Sequence, residues 1–191
     1  MKFIKKNREM IIFIIIVAFF IISLILDHQF LSLIESLKCP ALNIFFEKII
    51  LFENNIFIYY TSILITTIFI LILTKRKKQI PSYIISLAVL GILTLTLKFL
   101  VARPRPNNST VHSFPSGHTV AVFASVSFFN KLKTLQIFWF ILSCMFALTR
   151  IWFSMHYLSD IVAGAAIGYY VPTIIQKMIE KHYKIKCKQA K

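Results

Sequence analysis

Uncharged apolar runs at residues 10–26, 56–74, 80–97, 119–129, 134–149 and 161–175 leave this chain one solvent in which to fold. Hydrocarbon offers no water to satisfy backbone polar groups, and a helix satisfies its own, so the runs predict an all-α bundle of six transmembrane helices. A spanning helix needs about 17–25 residues. The fourth and sixth runs reach that length only if the fourth extends back to Ser116 and on through Leu132, and the sixth back to Tyr157. The polar residues so enclosed must then face the bundle interior, which places Ser116, His118 and Asp160 inside it.

Composition supports the same solvent. At 58% hydrophobic and 15% charged residues, the chain is too apolar for a soluble domain. A net charge of +15 raises nucleic-acid binding as a function, but the basic residues flank the apolar runs, where they face lipid headgroups. The expected partner is the bilayer, with no nucleic acid. Six spans put both termini on one side. With the N-terminus inside, Lys2, Lys5, Lys6, Arg8, the four bases at 75–78, Lys131, Lys133, Lys177, Lys181, Lys184, Lys186, Lys188 and Lys191 are cytoplasmic. That sorts 16 of the 22 basic residues inside, as the positive-inside rule requires. Lys98, Arg103, Arg105 and Arg150 are exceptions that need a reason.

Residues 28–55 place Phe30, Leu33, Ile34 and Leu37 at helical spacing between charges, and predict one or two amphipathic helices on the outer face, a connector or a lid. The apolar start continues into Asp27 without a small-x-small cleavage site, so it reads as an uncleaved first span. Gly164 and Gly168 form a small-xxx-small pair for close helix packing. Cys39, Cys144 and Cys187 fall in three different environments and build neither a disulfide framework nor a metal cluster. No second domain is apparent, and residues 1–191 read as one integral-membrane unit.

The exceptional cations lie beside polar residues. Lys98 ends the third span, Arg105 follows in a proline-stiffened loop, and Arg150 ends the fifth span, all on one side. Three such cations repel one another unless an anion neutralises them, and Asp160 alone is insufficient. A phosphoryl group suits them, since Arg offers forked donors and Lys a point charge. Ser116 and Gly117 open the fourth span, where free backbone N–H groups and the helix dipole make an anion cradle. His156 and Asp160 are four residues apart, so a helix beginning before His156 stacks them, and the carboxylate orients the ring as a nucleophile. His118, lacking such a partner, suits protonation of a leaving oxygen. A zinc site on His118, His156 and Asp160 is the rival, which the three cations oppose.

Taken together, Lys98-x6-Arg105-Pro106, Pro115-Ser116-Gly117-His118 and Thr149-Arg150-x5-His156-x3-Asp160 resemble the tripartite signature of the type 2 phosphatidic acid phosphatase superfamily. The resemblance covers residues 98–160 by motif, with Thr149 standing where the family usually has Ser. It implies a membrane lipid phosphatase without metal or cofactor, its site facing outward from the inner membrane, working through a phosphohistidine. His156 would be the nucleophile, Asp160 its orienting partner and His118 the acid, while Lys98, Arg105, Ser116, Gly117 and Arg150 would hold the phosphoryl oxygens. Arg103, His112 and Asn107 lie outside the signature, and Arg103 and His112 either read the head group or simply sit in the loop. Phosphatidylglycerol phosphate, undecaprenyl diphosphate, phosphatidic acid and lipid A are the substrate candidates. A non-enzymatic lipid or anion transporter is the alternative class, disfavoured because no ionisable residue continues a path through mid-span.

The topology is testable by cysteine labelling in intact cells. Residues near Asn108 are expected to label from outside and those near Lys77 and Lys188 only after permeabilisation. Labelling of residues 75–78 from outside would reverse the orientation.

Overall fold

In the computed structural model, described over residues 8–189 for the backbone and 10–182 for side chains, helix takes up 83% of the described residues and no strand occurs among them. The side chains of Lys2, Lys5, Lys6, Arg8, Lys184, Lys186, Cys187, Lys188 and Lys191 lie outside the described residues. The elements are α1 (Arg8–Leu37), α2 (Pro40–Asn54), α3 (Ile56–Leu73), a 3-10 turn (Lys77–Gln79), α4 (Ile80–Val101), α5 (Gly117–Phe128), α6 (Lys133–Trp152) and α7 (Leu158–Gln189). Five helices (α1, α3, α4, α6 and α7) are long and apolar enough to cross a membrane, and α5 is a shorter apolar helix.

Three boundaries differ from the sequence-based expectation, each for a physical reason. α1 does not stop before Asp27 but continues to Leu37, because Asp27 is buried and fully bonded rather than a polar terminus, so α2 alone connects α1 to α3. α5 starts where expected, with Ser116 as N-cap residue, but ends at Phe128 instead of running on through Leu132. Its 12 residues span about 18 Å, less than a bilayer core of about 30 Å. α5 can be short because it is central: every residue from Thr119 to Phe128 is buried, and α3, α4, α6 and α7 pack around it. Finally, α7 begins at Leu158 rather than before His156, and passes through Pro172 to Gln189.

Polar bonds from each surrounding helix hold α5. Ser125 Oγ lies 2.8 Å from Thr67 Oγ1 of α3 and 3.0 Å from Tyr83 Oη of α4. Trp139 of α6 donates to the Val122 carbonyl at 3.1 Å, and Gln176 of α7 donates to Ser127 Oγ at 3.2 Å. Such bonds between membrane helices contribute on average about 0.6 kcal/mol each. At the far end Arg76 donates to the Phe128 carbonyl at 2.6 Å, a cation closing the C-terminus of α5.

The small-residue pair works as its spacing suggests. A Cβ on Gly164 would stand 2.9 Å from the Ser116 carbonyl oxygen, and one on Gly168 would stand 2.4 Å from that of Val120. Backbone therefore packs on backbone where α7 crosses α5. Gly168→Ala is expected to push the two helices apart and cost about 1–3 kcal/mol. A lowered thermal unfolding midpoint in detergent is the readout; an unchanged midpoint would mean that the crossing is loose.

Candidate active site

The site forms at the end of the bundle where α4 stops, α5 starts and α6 turns into α7. After Lys98, Ala102 adopts a left-handed conformation (φ 45°) and its N–H returns to the Lys98 carbonyl, turning the chain back over the bundle. Backbone bonds then order the loop: Arg105 N–H to Thr110 O at 2.9 Å, Ser113 N–H to Arg103 O at 2.9 Å, and Asn107 N–H to Ser154 O at 3.0 Å. The last bond gives Asn107 a use, tying this loop to the α6–α7 turn. That turn reverses through Ser154 in the left-handed region (φ 51°), and the N–H groups of Met155 and His156 both return to the Arg150 carbonyl. Arg150 and His156 are thereby fixed to each other through backbone.

Asp160 is fully buried, and its two oxygens have separate partners. Oδ2 accepts a very short bond from Ser113 Oγ and another from the Tyr157 N–H at 2.9 Å, with His156 Nδ1 at 3.5 Å. Oδ1 accepts from Arg103 Nη1 at 2.9 Å. The expected His156–Asp160 pair exists, yet not as a stack on one helix face: His156 stands in the turn before α7, and the carboxylate at the start of the helix reaches back to it. The 3.5 Å separation exceeds a normal hydrogen bond, as is common before substrate tightens a site. Burial lowers the His156 imidazole to about 4, against the opposing pull of Asp160, so the ring is neutral near pH 7.

His118 lies on α5 with its ring 4.7 Å from that of Tyr59 and 5.6 Å from that of Tyr60. Its Nε2 is 3.0 Å from the Glu53 carbonyl, which can only accept, so that nitrogen carries the proton. Gly117 leaves room beside it: a Cβ there would sit 3.3 Å from Tyr60 Oη and 3.9 Å from Lys98 Cε. Lys98 Nζ donates to the His112 carbonyl at 2.7 Å, so His112 steadies the lysine through its backbone. Ser116 is buried; its N–H bonds to the Asp160 carbonyl at 3.2 Å, and its Oγ accepts from Thr119 rather than capping the helix. Arg105 and Arg150 complete the group, both within electrostatic range of His118.

Four contributors escape spacing rules. Ser113 and Arg103 bond Asp160 from 47 and 57 residues away, and Asp27 bonds Arg103 from 76 residues away at 2.7 Å. Arg103 is thus turned into the protein, and of its two alternatives its bonds favour a place in the loop over contact with a head group. Glu53, at the end of α2, is fully buried with Oε2 3.1 Å from Arg150 Nη2, an ion pair without hydrogen-bond alignment. Among the described residues, no three His, Cys, Asp or Glu side chains converge as metal ligands.

Burial pushes the Glu53 carboxyl up to about 8, with Arg150 pulling the other way. A carboxyl raised in the folded state binds its proton more tightly there than in the unfolded chain, so stability is lost as pH rises from about 4.5 through about 8. The thermal midpoint of Glu53→Gln relative to wild type is therefore expected to climb across that window. A difference independent of pH would place the carboxylate in a well-solvated setting.

Comparison with known proteins agrees with this geometry. Residues 79–184 match the PAP2 superfamily. A lipid A 1-phosphatase of Porphyromonas gingivalis is 28% identical over 96 residues, a stretch covering 48% of this chain and only 22% of that relative's length. Among solved structures, Aquifex aeolicus LpxE superposes with a TM-score of 0.65 at 21% identity, covering 80% of this chain and 95% of that one. A PAP2-type phosphatidylglycerolphosphate phosphatase from Bacillus subtilis gives 0.66 at 18% identity, covering 88% and 96%. With more than half its length inside the family match, and with the fold and the convergence of motifs in accord, the chain belongs to the PAP2 superfamily.

Proposed function

We propose that the protein is a lipid phosphatase that cleaves a phosphomonoester from a membrane lipid by two in-line displacements, without a metal ion. One observation carries this reading. Arg105 Nε and Arg150 Nε are buried donors with no hydrogen-bond partner, beside a neutral imidazole, and Arg150 Nη2 meets the Glu53 carboxyl out of hydrogen-bond alignment. Buried donors are ordinarily satisfied, and those of two guanidinium groups facing one site call for an oxyanion. With Lys98 they supply three cations. Arg103 is committed to two carboxylates and adds none, which favours one phosphoryl group over a diphosphate.

In the first displacement His156 Nε2 attacks phosphorus while Asp160 holds Nδ1–H, and the lipid alkoxide departs with the Nδ1 proton of a protonated His118, whose Nε2–H stays on the Glu53 carbonyl. In the second, water attacks the phosphohistidine and returns its proton to His118, releasing inorganic phosphate and free His156. Lys98, Arg105, Arg150 and the backbone N–H groups at Ser116 and Gly117 stabilise charge spread over the three equatorial oxygens. A cleft of about 430 Å³ between α3, α4 and α5 opens beside Lys98 and Gly117 and is lined by Leu64, Leu87 and Leu90, a seat for a hydrocarbon chain. The proposal includes six spans with both termini cytoplasmic, α5 as the short fourth, and the site facing outward from the inner membrane, following the distribution of basic residues. A lipid A 1-phosphate substrate is the specific form that the Porphyromonas gingivalis likeness favours.

Phosphate release by the purified chain from lipid A, phosphatidylglycerol phosphate, phosphatidic acid and undecaprenyl diphosphate, with and without EDTA, tests the class and ranks the substrates. Release from a monoester that survives EDTA and is blocked by vanadate is expected; loss in EDTA restored by a divalent ion would sink the metal-free mechanism. His156→Ala should abolish turnover on every substrate. His118→Ala should cost about 10²–10⁴-fold on a lipid alkoxide but far less on p-nitrophenyl phosphate, whose phenolate needs no proton. Equal losses on both substrates would remove His118 from the acid role.

A further inference from the structure

The first helix reaches the site region through a buried acid. Asp27 of α1 is 2% exposed, in a helix most of whose side chains are open to lipid. Its Oδ2 accepts from Arg103 Nη2 at 2.7 Å and from Ser159 Oγ at 2.6 Å, and its Oδ1 accepts from the Ser159 N–H at 2.8 Å. Arg103 Nη1 in turn donates to Asp160 Oδ1 at 2.9 Å and to Ser159 Oγ at 2.7 Å. We propose that Asp27 and Arg103 are positioning residues for the reaction at His156: α1, acting through the Arg103 guanidinium, fixes the Asp160 carboxylate and sets the field at the imidazole. This rests on the phosphatase reading above for its kinetic consequences, though not for its geometry.

Three features favour this role over simple packing. First, both terminal nitrogens of Arg103 are spent on protein acceptors, so the residue is no phosphoryl ligand. Second, Asp160 Oδ2 is held by Ser113 and Tyr157, whereas Arg103 is the bond that holds Oδ1; without it, a buried charged oxygen loses its cationic partner and Oδ2 alone anchors the carboxylate. Third, the guanidinium lies 3.9 Å above the ring of Tyr157, the residue following His156, and His28 of α1 packs edge-on to the same ring. α1 therefore grips the turn that carries the nucleophile from two sides. Asp27 lies outside residues 79–184, the stretch that matches the family.

The charged and titratable groups around Asp160 and His156 are Asp27 and His28 on α1, Lys98 on α4, Arg103 and Arg105 in the loop, His118 on α5, Arg150 on α6 and Tyr157 in the turn. Removing the Arg103 charge leaves Asp160 uncompensated and favours the His156 cation. Removing the Asp27 charge leaves Arg103 uncompensated and disfavours it. Arg103→Gln is thus expected to move the acid limb of kcat to higher pH, and Asp27→Asn to move it lower, with kcat down by up to about 100-fold in both and KM nearly unchanged. Arg103→Lys keeps the charge but not the fork, and should lower kcat with the acid limb in place.

The full-length chain in detergent, assayed on its best lipid monoester across pH, provides the test. NMR titration of His156 in the same three variants reads the same opposite shifts without turnover. A wild-type chain that releases no phosphate would therefore overturn the phosphatase reading alone. A rise confined to KM would mean that Arg103 touches the lipid, and losses with no movement of the acid limb or of the His156 titration would reduce the cluster to packing. Either result overturns the proposal.

Discussion

A carboxylate with no solvent exposure, Asp160, sets the terms for the whole site end of this bundle. An unpaired buried charge costs several kcal/mol, so the fold must bring it partners. They arrive from two segments, Arg103 and Ser113 from the loop after α4 and His156 and Tyr157 from the α6–α7 turn, while Ser116 at the start of α5 bonds the main-chain carbonyl of the same residue. Satisfying one acid thus assembles the ends of four helices. Arg105 Nε and Arg150 Nε, buried donors without a hydrogen-bond partner, are left for something the protein does not supply.

Apolar packing sets the distance over which this chemistry operates. Gly164 lies one helical turn beyond Asp160 and directly against the Ser116 carbonyl, so the absence of one side chain decides how near the start of α7 comes to the start of α5. Tyr59 and Tyr60 perform the matching task from α3, walling the His118 ring, while the Glu53 carbonyl fixes its tautomer. Helix packing that looks structural in the sequence is therefore part of the site's geometry.

Much of this was legible before any coordinates. The apolar runs locate the helices, and the motif residues Lys98, Arg105, Ser116, Gly117, His118, Arg150, His156 and Asp160 do meet at one end. What escaped was anything carried by non-local contact. Asp27 reads as a polar stop after an apolar run, because its partner Ser159 lies 132 residues away. Glu53 reads as one more charge on an amphipathic helix, and only tertiary structure buries it beside Arg150. Ser113 stands in a loop with no periodicity to expose it. The α5 and α7 boundaries erred because bilayer thickness was applied to a helix that other helices enclose, and because a local turn at Ser154, not a helical stack, joins His156 to Asp160.

That enclosure makes α5 unlike its neighbours in what it tolerates. A lipid-facing helix has a permissive side, where one aliphatic side chain replaces another at little cost. From Thr119 to Phe128, α5 has no such side. Its substitutions obey the volume rules of a soluble protein's core, in which a single added or deleted methylene is felt. Tolerance of substitution is therefore expected on the outer ring of helices, and the 12 residues of α5 form a rod that can change only when its surroundings change with it.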